Sequence, residues 1–302
     1  ISGWGLAPQG TAKLSKSRGG GPMAPMAMIE KYSSDAVRYW AASTGLGKDS
    51  VISEEKIQAG AKLVTKLWNV ARFSERFLAG YTSPATPPAG LTPADRWLLS
   101  QLQRLIQETS AQFEAYDYAS AKSTVEAFFW RNLADNYLEM AKSRLYDERA
   151  PSRSGARYTL HAALLTVVKL FAPFLPHVTE AIYLGLFAPD EAHASVHRSN
   201  WPQAHATLLD EQAEAAGEAL VAIATAVRRY KSESNLSLGV ELPNLILVPE
   251  NATLGKLLDA LQADIRSITR ARRVSVAAVI PEDAQPLATE GPVAAYLPTG
   301  EA

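Results

Sequence analysis

Between Asp117 and Tyr146 the chain carries Val125, Phe128, Phe129, Leu133, Tyr137 and Leu145, which cover several sides of any helix drawn through them. A helix so widely apolar must be buried around most of its circumference, and this places it at the centre of a bundle. The flanking segments supply partners. Thr92-Pro93-Ala94-Asp95 is a helix start, with a capping threonine, proline at the first helical position and an acid at the third. That helix is expected to run to about Phe113. Arg157 to Phe171 and Thr179 to Phe187 follow, joined by Pro173-Phe174-Leu175-Pro176. Short connections between long helices predict an antiparallel bundle.

Upstream, Pro22 and Pro25 frame a helix start, and Ser33-Ser34-Asp35 caps Ala36 to Trp40 ahead of Gly45. Ser53 caps a longer helix, with Glu54 and Glu55 near its positive end and Gly80 closing it. Within it Ile57, Ala61, Val64, Trp68 and Ala71 recur at helical spacing and predict a buried stripe. Beside them Lys62, Thr65, Asn69, Arg72 and Arg76 form a polar, mostly cationic stripe. Tyr81 to Leu91 contains three prolines and reads as a connector.

After Trp201-Pro202 the pattern changes. An alanine-rich helix is expected over Leu208 to Lys231, a strand over Leu242 to Val248, a helix over Leu254 to Ile265 and a strand over Arg273 to Ile280. The last twenty residues suit an edge strand or a frayed tail. The fold class is therefore mainly α, an antiparallel helical bundle with a small C-terminal α/β appendage. The expected division is 1–50, 51–205 and 206–302.

Composition narrows the chemistry. No cysteine is present, which removes disulfides, thiolate zinc sites and cysteine nucleophiles and fits a cytoplasmic protein. The longest apolar runs, such as Ala162 to Leu165 and Ala219 to Ala224, are too short to span a bilayer. A net charge of −1 means that any contact with nucleic acid must come from local patches. His193 and His197 have the i, i+4 spacing of some metal pairs but no convincing third ligand, so no metal site is expected. Trp130 and Trp201 read as packing residues.

Near the start, Lys13-Leu14-Ser15-Lys16-Ser17 leads into Arg18 and the run Gly19 to Gly21. A cationic, donor-rich, glycine-flanked segment suits a polyphosphate. A solvated lysine–serine turn is the plainer alternative. Two further basic groups stand out: Arg228, Arg229 and Lys231 at a helix end, and Arg266, Arg270 and Arg273 at i, i+4, i+7. Both could touch a nucleic-acid backbone, although a helix dipole also accounts for the first.

Lys13 to Ser17 resembles the KMSKS signature of class I aminoacyl-tRNA synthetases, with Leu14 in place of methionine. Further stretches, in fixed order, resemble the branch that handles valine, isoleucine, leucine and methionine. They are Ile29-Glu30-Lys31-Tyr32-Ser33-Ser34-Asp35-Ala36-Val37-Arg38-Tyr39-Trp40, Lys66-Leu67-Trp68-Asn69-Val70-Ala71-Arg72-Phe73, Asn132 to Lys142, Phe171-Ala172-Pro173-Phe174-Leu175-Pro176-His177-Val178-Thr179-Glu180 and Ser195 to Pro202. The Leu-Trp-Asn-Val-Ala-Arg stretch is similar to that of the valyl enzymes. The isoleucyl branch is the alternative within the family, and a synthetase-derived helical protein-interaction module is the alternative outside it.

The resemblance implies a ligase that joins valine to its tRNA using ATP, with Mg2+ in the whole enzyme. Lys13 and Lys16 would act on the departing phosphates, and Ser15 and Ser17 would add hydrogen bonds to ATP. Asn69, Arg72, Arg76, Arg131, Lys142 and Arg144 would contact the tRNA anticodon region, with the plane of Arg144 stacking on a base. Pairing of Arg131 and Lys142 with Asp135 on their own helix is the competing expectation. The HIGH motif and the Rossmann half that precede the KMSKS loop in the family are absent. The chain is therefore expected to be a C-terminal piece, monomeric, with no ligation activity of its own.

Overall fold

A computed structural model describes residues 5–6, 24–280 and 282–299. Lys13, Ser15, Lys16 and Ser17, and with them the whole glycine-flanked loop, lie outside the described residues. The chain is mostly helical with a small sheet near its C-terminal end. Two compact units are present. One gathers Ile1–Ser83, Arg104–Phe129 and Leu164–Ala204; the other gathers Pro84–Gln103, Trp130–Ala163 and His205–Ala302. Three long helices contribute residues to both.

In the first unit α1 (Pro25–Tyr32) and α2 (Ser34–Ala41) pack on α3 (Glu54–Leu78). The short strands β1 (Gly5–Leu6) and β2 (Ser50–Val51) pair in parallel. The Ser53 hydroxyl caps α3 by accepting from the Lys56 amide. The helix buries Ile57, Leu63, Leu67, Val70, Ala71 and Phe77. Gly60 belongs to the same face, because a Cβ there would lie 2.7 Å from the ring of Tyr39 on α2.

That face differs from the expected one. Ile57 and Ala71 are buried, Ala61 and Val64 are half-buried, and Trp68 is 43% exposed. The close approach of Tyr39 to Gly60 turns the helix so that Leu63 and Leu67 point inward and Trp68 points out.

Two stretches that resemble the family meet in this unit. Asp35, buried at the start of α2, accepts the amides of His177 (3.2 Å) and Val178 (2.7 Å) at the N-terminus of α8 (Pro176–Leu186). A carboxylate there satisfies two orphan donors and complements the helix dipole. Arg38 returns the contact by donating to the carbonyls of Pro173 and Phe174. Glu180, within α8, accepts from the Val196 amide and the Ser195 hydroxyl, which lie beyond the short α9 (Ala188–Glu191).

The helices shared by the units are α4 (Pro93–Glu114), the continuous run through α5 (Tyr118–Ala127) and α6 (Leu138–Tyr146), and α7 (Arg153–Phe171). Between α5 and α6 residues Phe128–Tyr137 are π-helical. Phe129, Leu133 and Tyr137 are all fully buried, as the wide apolar surface of this run requires.

In the second unit α10 (Glu211–Glu233) lies against Trp97 of α4 so closely that a Cβ on Gly217 would fall 2.0 Å from the indole. Strand β3 (Leu242–Pro249) is joined through α11 (Ala252–Ala260) and α12 (Gln262–Thr269) to the parallel β4 (Ala271–Val276), in register Leu242↔Ala271. Two helices with a break at Leu261 replace the single helix expected there. The closing segment forms a hairpin, β5 (Ala284–Leu287) and β6 (Val293–Pro298), and the sheet order is β4-β3-β6-β5. Thus β6 is an interior strand, antiparallel to β3 with Ile246 opposite Tyr296.

Candidate nucleic-acid interface

The outward face of α3 carries Lys62, Thr65, Asn69, Arg72 and Arg76, all exposed. Their spacing keeps them in one line along the helix. The hydroxyl of Thr65 bonds back to the Ala61 carbonyl at 2.9 Å. Arg72 pairs with Glu75 at 2.5 Å, with both side chains largely solvated. Such a pair contributes little to stability and exchanges readily for another partner. The side chains of Lys62 and Asn69 have no hydrogen-bond partner among the described residues. Arg76 lies in the last turn, where a cation complements the helix dipole.

Trp68 adjoins this line, and the sequence did not assign it there. Its indole stands beside a small cavity of about 50 Å³ lined by Ala71, Arg72, Glu75, Ile182 and Leu186. The face therefore offers an exposed aromatic plane, an amide with free donors and acceptors, and two guanidinium groups. Those are the groups that stack on and hydrogen-bond to unpaired bases. Trp68 has the same helical spacing as the buried residues, so apolar periodicity alone cannot separate it from the core.

The other three expected contacts lie in the second unit, and the structure does not gather them into one patch. Arg131 is exposed and pairs at 2.6 Å with Glu218 of α10. Lys142 pairs with Glu139 at 2.8 Å on its own helix. Arg144 is 4% exposed. It donates through Nη1 and Nη2 to the two oxygens of Asp95, both at 2.9 Å, and through Nε to Asp264 at 2.8 Å. Tyr137 adds its hydroxyl to Asp95 at 2.6 Å, and the Thr92 amide donates to the same carboxylate.

This is a satisfied buried network. Burial works against the charge of Arg144, but the carboxylates of Asp95 and Asp264 outweigh it and hold the guanidinium pKa above its usual value. Burial pushes Asp264 up to about 6, with the neighbouring Asp95 adding to the rise and Arg144 opposing it. Burial and the neighbouring Asp95 also raise the Tyr137 hydroxyl. With its plane enclosed, Arg144 presents no face to a base, and the expected stacking contact would require this network to open.

The basic helix end divides in the same way. Arg228 donates to the Asn136 side chain and the Asp135 carbonyl, and Arg229 pairs with Glu233. Lys231 is buried, and its Nζ donates to the carbonyls of Leu238, Val240 and Thr269. Burial, and secondarily Arg270, lower its pKa. Lys231 is thus a fastener for the loop before β3. His197 contacts the Pro176 carbonyl through Nε2. Among the described residues no group of three or more His, Cys, Asp or Glu is placed to hold a metal ion. Trp201 packs edge-on against Phe113 and donates to Ser110. No helix among the described residues is long and apolar enough to cross a membrane.

Residues 95–246 match the family described as the anticodon-binding domain of tRNA ligase. Over 276 residues the chain is 34% identical to a valine–tRNA ligase of Wolbachia sp. subsp. Brugia malayi, covering 91% of this chain and 32% of that relative. Against the valine–tRNA ligase of Methanopyrus kandleri the identity is 40%, covering 87% of this chain and 29% of the relative. The chain spans about a third of the length of these curated relatives. Among solved structures, LeuRS of Agrobacterium radiobacter K84, from a ternary complex, superposes with a TM-score of 0.52. The identity is 20%, over 69% of this chain and 24% of that one, a likeness of fold. The match over half the chain agrees with the ordered stretches in the sequence, and the chain belongs to the family of the anticodon-binding domain of tRNA ligase, similar along nine-tenths of its length to valine–tRNA ligases.

Proposed function

We propose that this chain supplies the tRNA-binding portion of a valine–tRNA ligase and that the outward face of α3 reads the anticodon loop. The carrying observation is the exposed line of Asn69, Arg72 and Arg76 beside the open indole of Trp68. Bases splayed from a single-stranded loop can stack on the indole, while asparagine and arginine donate to their edges and the cations follow the phosphates. Arg131 and Lys142, exposed or half-exposed with ion pairs at the surface, are secondary contacts in this reading.

In the whole protein the substrates would be valine, ATP and the valine tRNA. Lys13 and Lys16 would steady the charge that develops on the departing phosphates, with Ser15 and Ser17 as hydrogen-bond donors. Positioned cations act most strongly at that moment of phosphoryl chemistry. This part of the proposal rests on the resemblance of the loop. The cytoplasmic location and monomeric state expected from the sequence belong to the same proposal.

The test is binding of the chain to the anticodon stem-loops of valine and isoleucine tRNAs. Preference for the valine loop, lost in N69A/R72A, supports the reading. Preference for the isoleucine loop would move the chain to the neighbouring branch. No salt-dependent binding to either would favour a protein-interaction module instead.

A further inference from the structure

A second cationic site lies apart from the α3 face in sequence and is built within the second unit. Lys142 and Tyr146 of α6, Arg266 and Arg270 at the end of α12, and Arg272 and Glu241 line a cleft of about 430 Å³. That volume falls in the range of ligand clefts, about 300–1,000 Å³. Its walls carry four cations against the one carboxylate of Glu241. Lys142 is matched by Glu139 and Arg272 by Glu241, at 2.6 Å. The guanidiniums of Arg266 and Arg270 have no acceptor among the described residues, and they stand i, i+4, where like charges repel.

Arg270 carries a second cost. It sits at the C-terminal cap of α12 with φ +61°, the left-handed conformation that glycine adopts without penalty. The chain therefore places a cation without an acceptor at a backbone position that glycine would relieve, with only the helix dipole in its favour. The expected basic triplet also resolves here. Alternation along β4 separates Arg272 from Arg273, and Arg272 rather than Arg273 lines the cleft.

We propose that this cleft binds the phosphodiester backbone of RNA, with Arg266 and Arg270 as its phosphate contacts. Small-molecule pockets are mostly apolar with a few polar groups, whereas this cleft is mainly charged and hydroxylic, which suits a polyanion tracked by its backbone. The proposal rests on tRNA being the partner of this chain and adds a sequence-independent grip to the base-reading face of α3.

The test titrates the 302-residue chain with labelled valine tRNA and a non-cognate tRNA over a series of KCl concentrations, beside R266Q/R270Q and R270G. The double variant should weaken both tRNAs alike, roughly tenfold at low salt, and flatten the log K against log salt slope by about two. R270G should weaken binding about threefold while its Tm stays level or rises, since glycine relieves the left-handed backbone. That opposition separates a contact from a folding role. Unchanged slope and affinity in the double variant, with the unmodified chain still binding, would overturn the cleft alone. A Tm loss in R270G that parallels its binding loss would also overturn it. Equally tight, variant-sensitive binding of inorganic phosphate would assign the site to free anions instead. Failure of the unmodified chain to bind any tRNA would remove the RNA reading and the cleft together.

Discussion

Arg72 and Arg144 both sit on long helices, and both carried the same expectation from the sequence, yet they have opposite environments. Arg72 is solvated, holds one exposed carboxylate and lines the notch beside Trp68. Arg144 is enclosed, with all three of its nitrogens engaged by Asp95 and Asp264. The contrast shows that a basic residue on a family-like helix can face solvent or be built into the architecture. What decides between them is whether carboxylates from distant parts of the chain meet it inside. Asp95 and Asp264 are 49 and 120 residues from Arg144 in sequence, so the helix pattern around Arg144 contains no trace of the encounter.

Arg144 is where substitution should cost the fold most. R144A leaves two buried carboxylates without their cation and should destabilise the fold by about 3–5 kcal/mol, measured by denaturant unfolding. A loss below about 1 kcal/mol would mean that the network is not structural. N69A/R72A on α3 should do the reverse. Unfolding should shift by no more than about 0.5 kcal/mol, while tRNA affinity falls by about 1–3 kcal/mol.

The buried network also predicts a pH response. With Asp264 raised to about 6, against about 3.9 for an unfolded aspartate, the folded chain binds the extra proton more tightly. This contribution to stability is complete below about pH 4 and is lost as pH rises through 6. D264N should remove that slope from the stability profile. A carboxyl resonance of Asp264 titrating at or below 4 would contradict the assignment. The smallest effect belongs to Arg131, whose exposed pair with Glu218 should be worth about 0.2–1 kcal/mol in a double-mutant cycle.

Much of the architecture was legible because it is written in local signals. Ser53 caps α3 through its side chain, and the apolar girth of the 117–146 run announced a buried helix. Features set by distant contacts were not legible. The face that α3 buries is fixed by Gly60 against Tyr39, and glycine gives no hydrophobic signal, so Trp68 was assigned inward. Strand β6 is short and alanine-bearing, and its interior position follows from pairing with β3, nearly fifty residues earlier. Lys231 reads as one more cation at a helix end until the carbonyls of Leu238, Val240 and Thr269 close around it. Of the candidate site, the polar line on α3 was visible from spacing alone, because an exposed stripe needs no partner to define it.

Recognition of tRNA by α3, as proposed, would use a face that the fold does not need. The most direct measurement is the affinity of the chain for the valine tRNA anticodon stem-loop, compared between the unmodified protein and N69A/R72A with Tm recorded on both. An affinity loss of at least about tenfold with Tm unchanged is expected. Equal affinity in the two proteins, or a loss that tracks a fall in Tm, would contradict it.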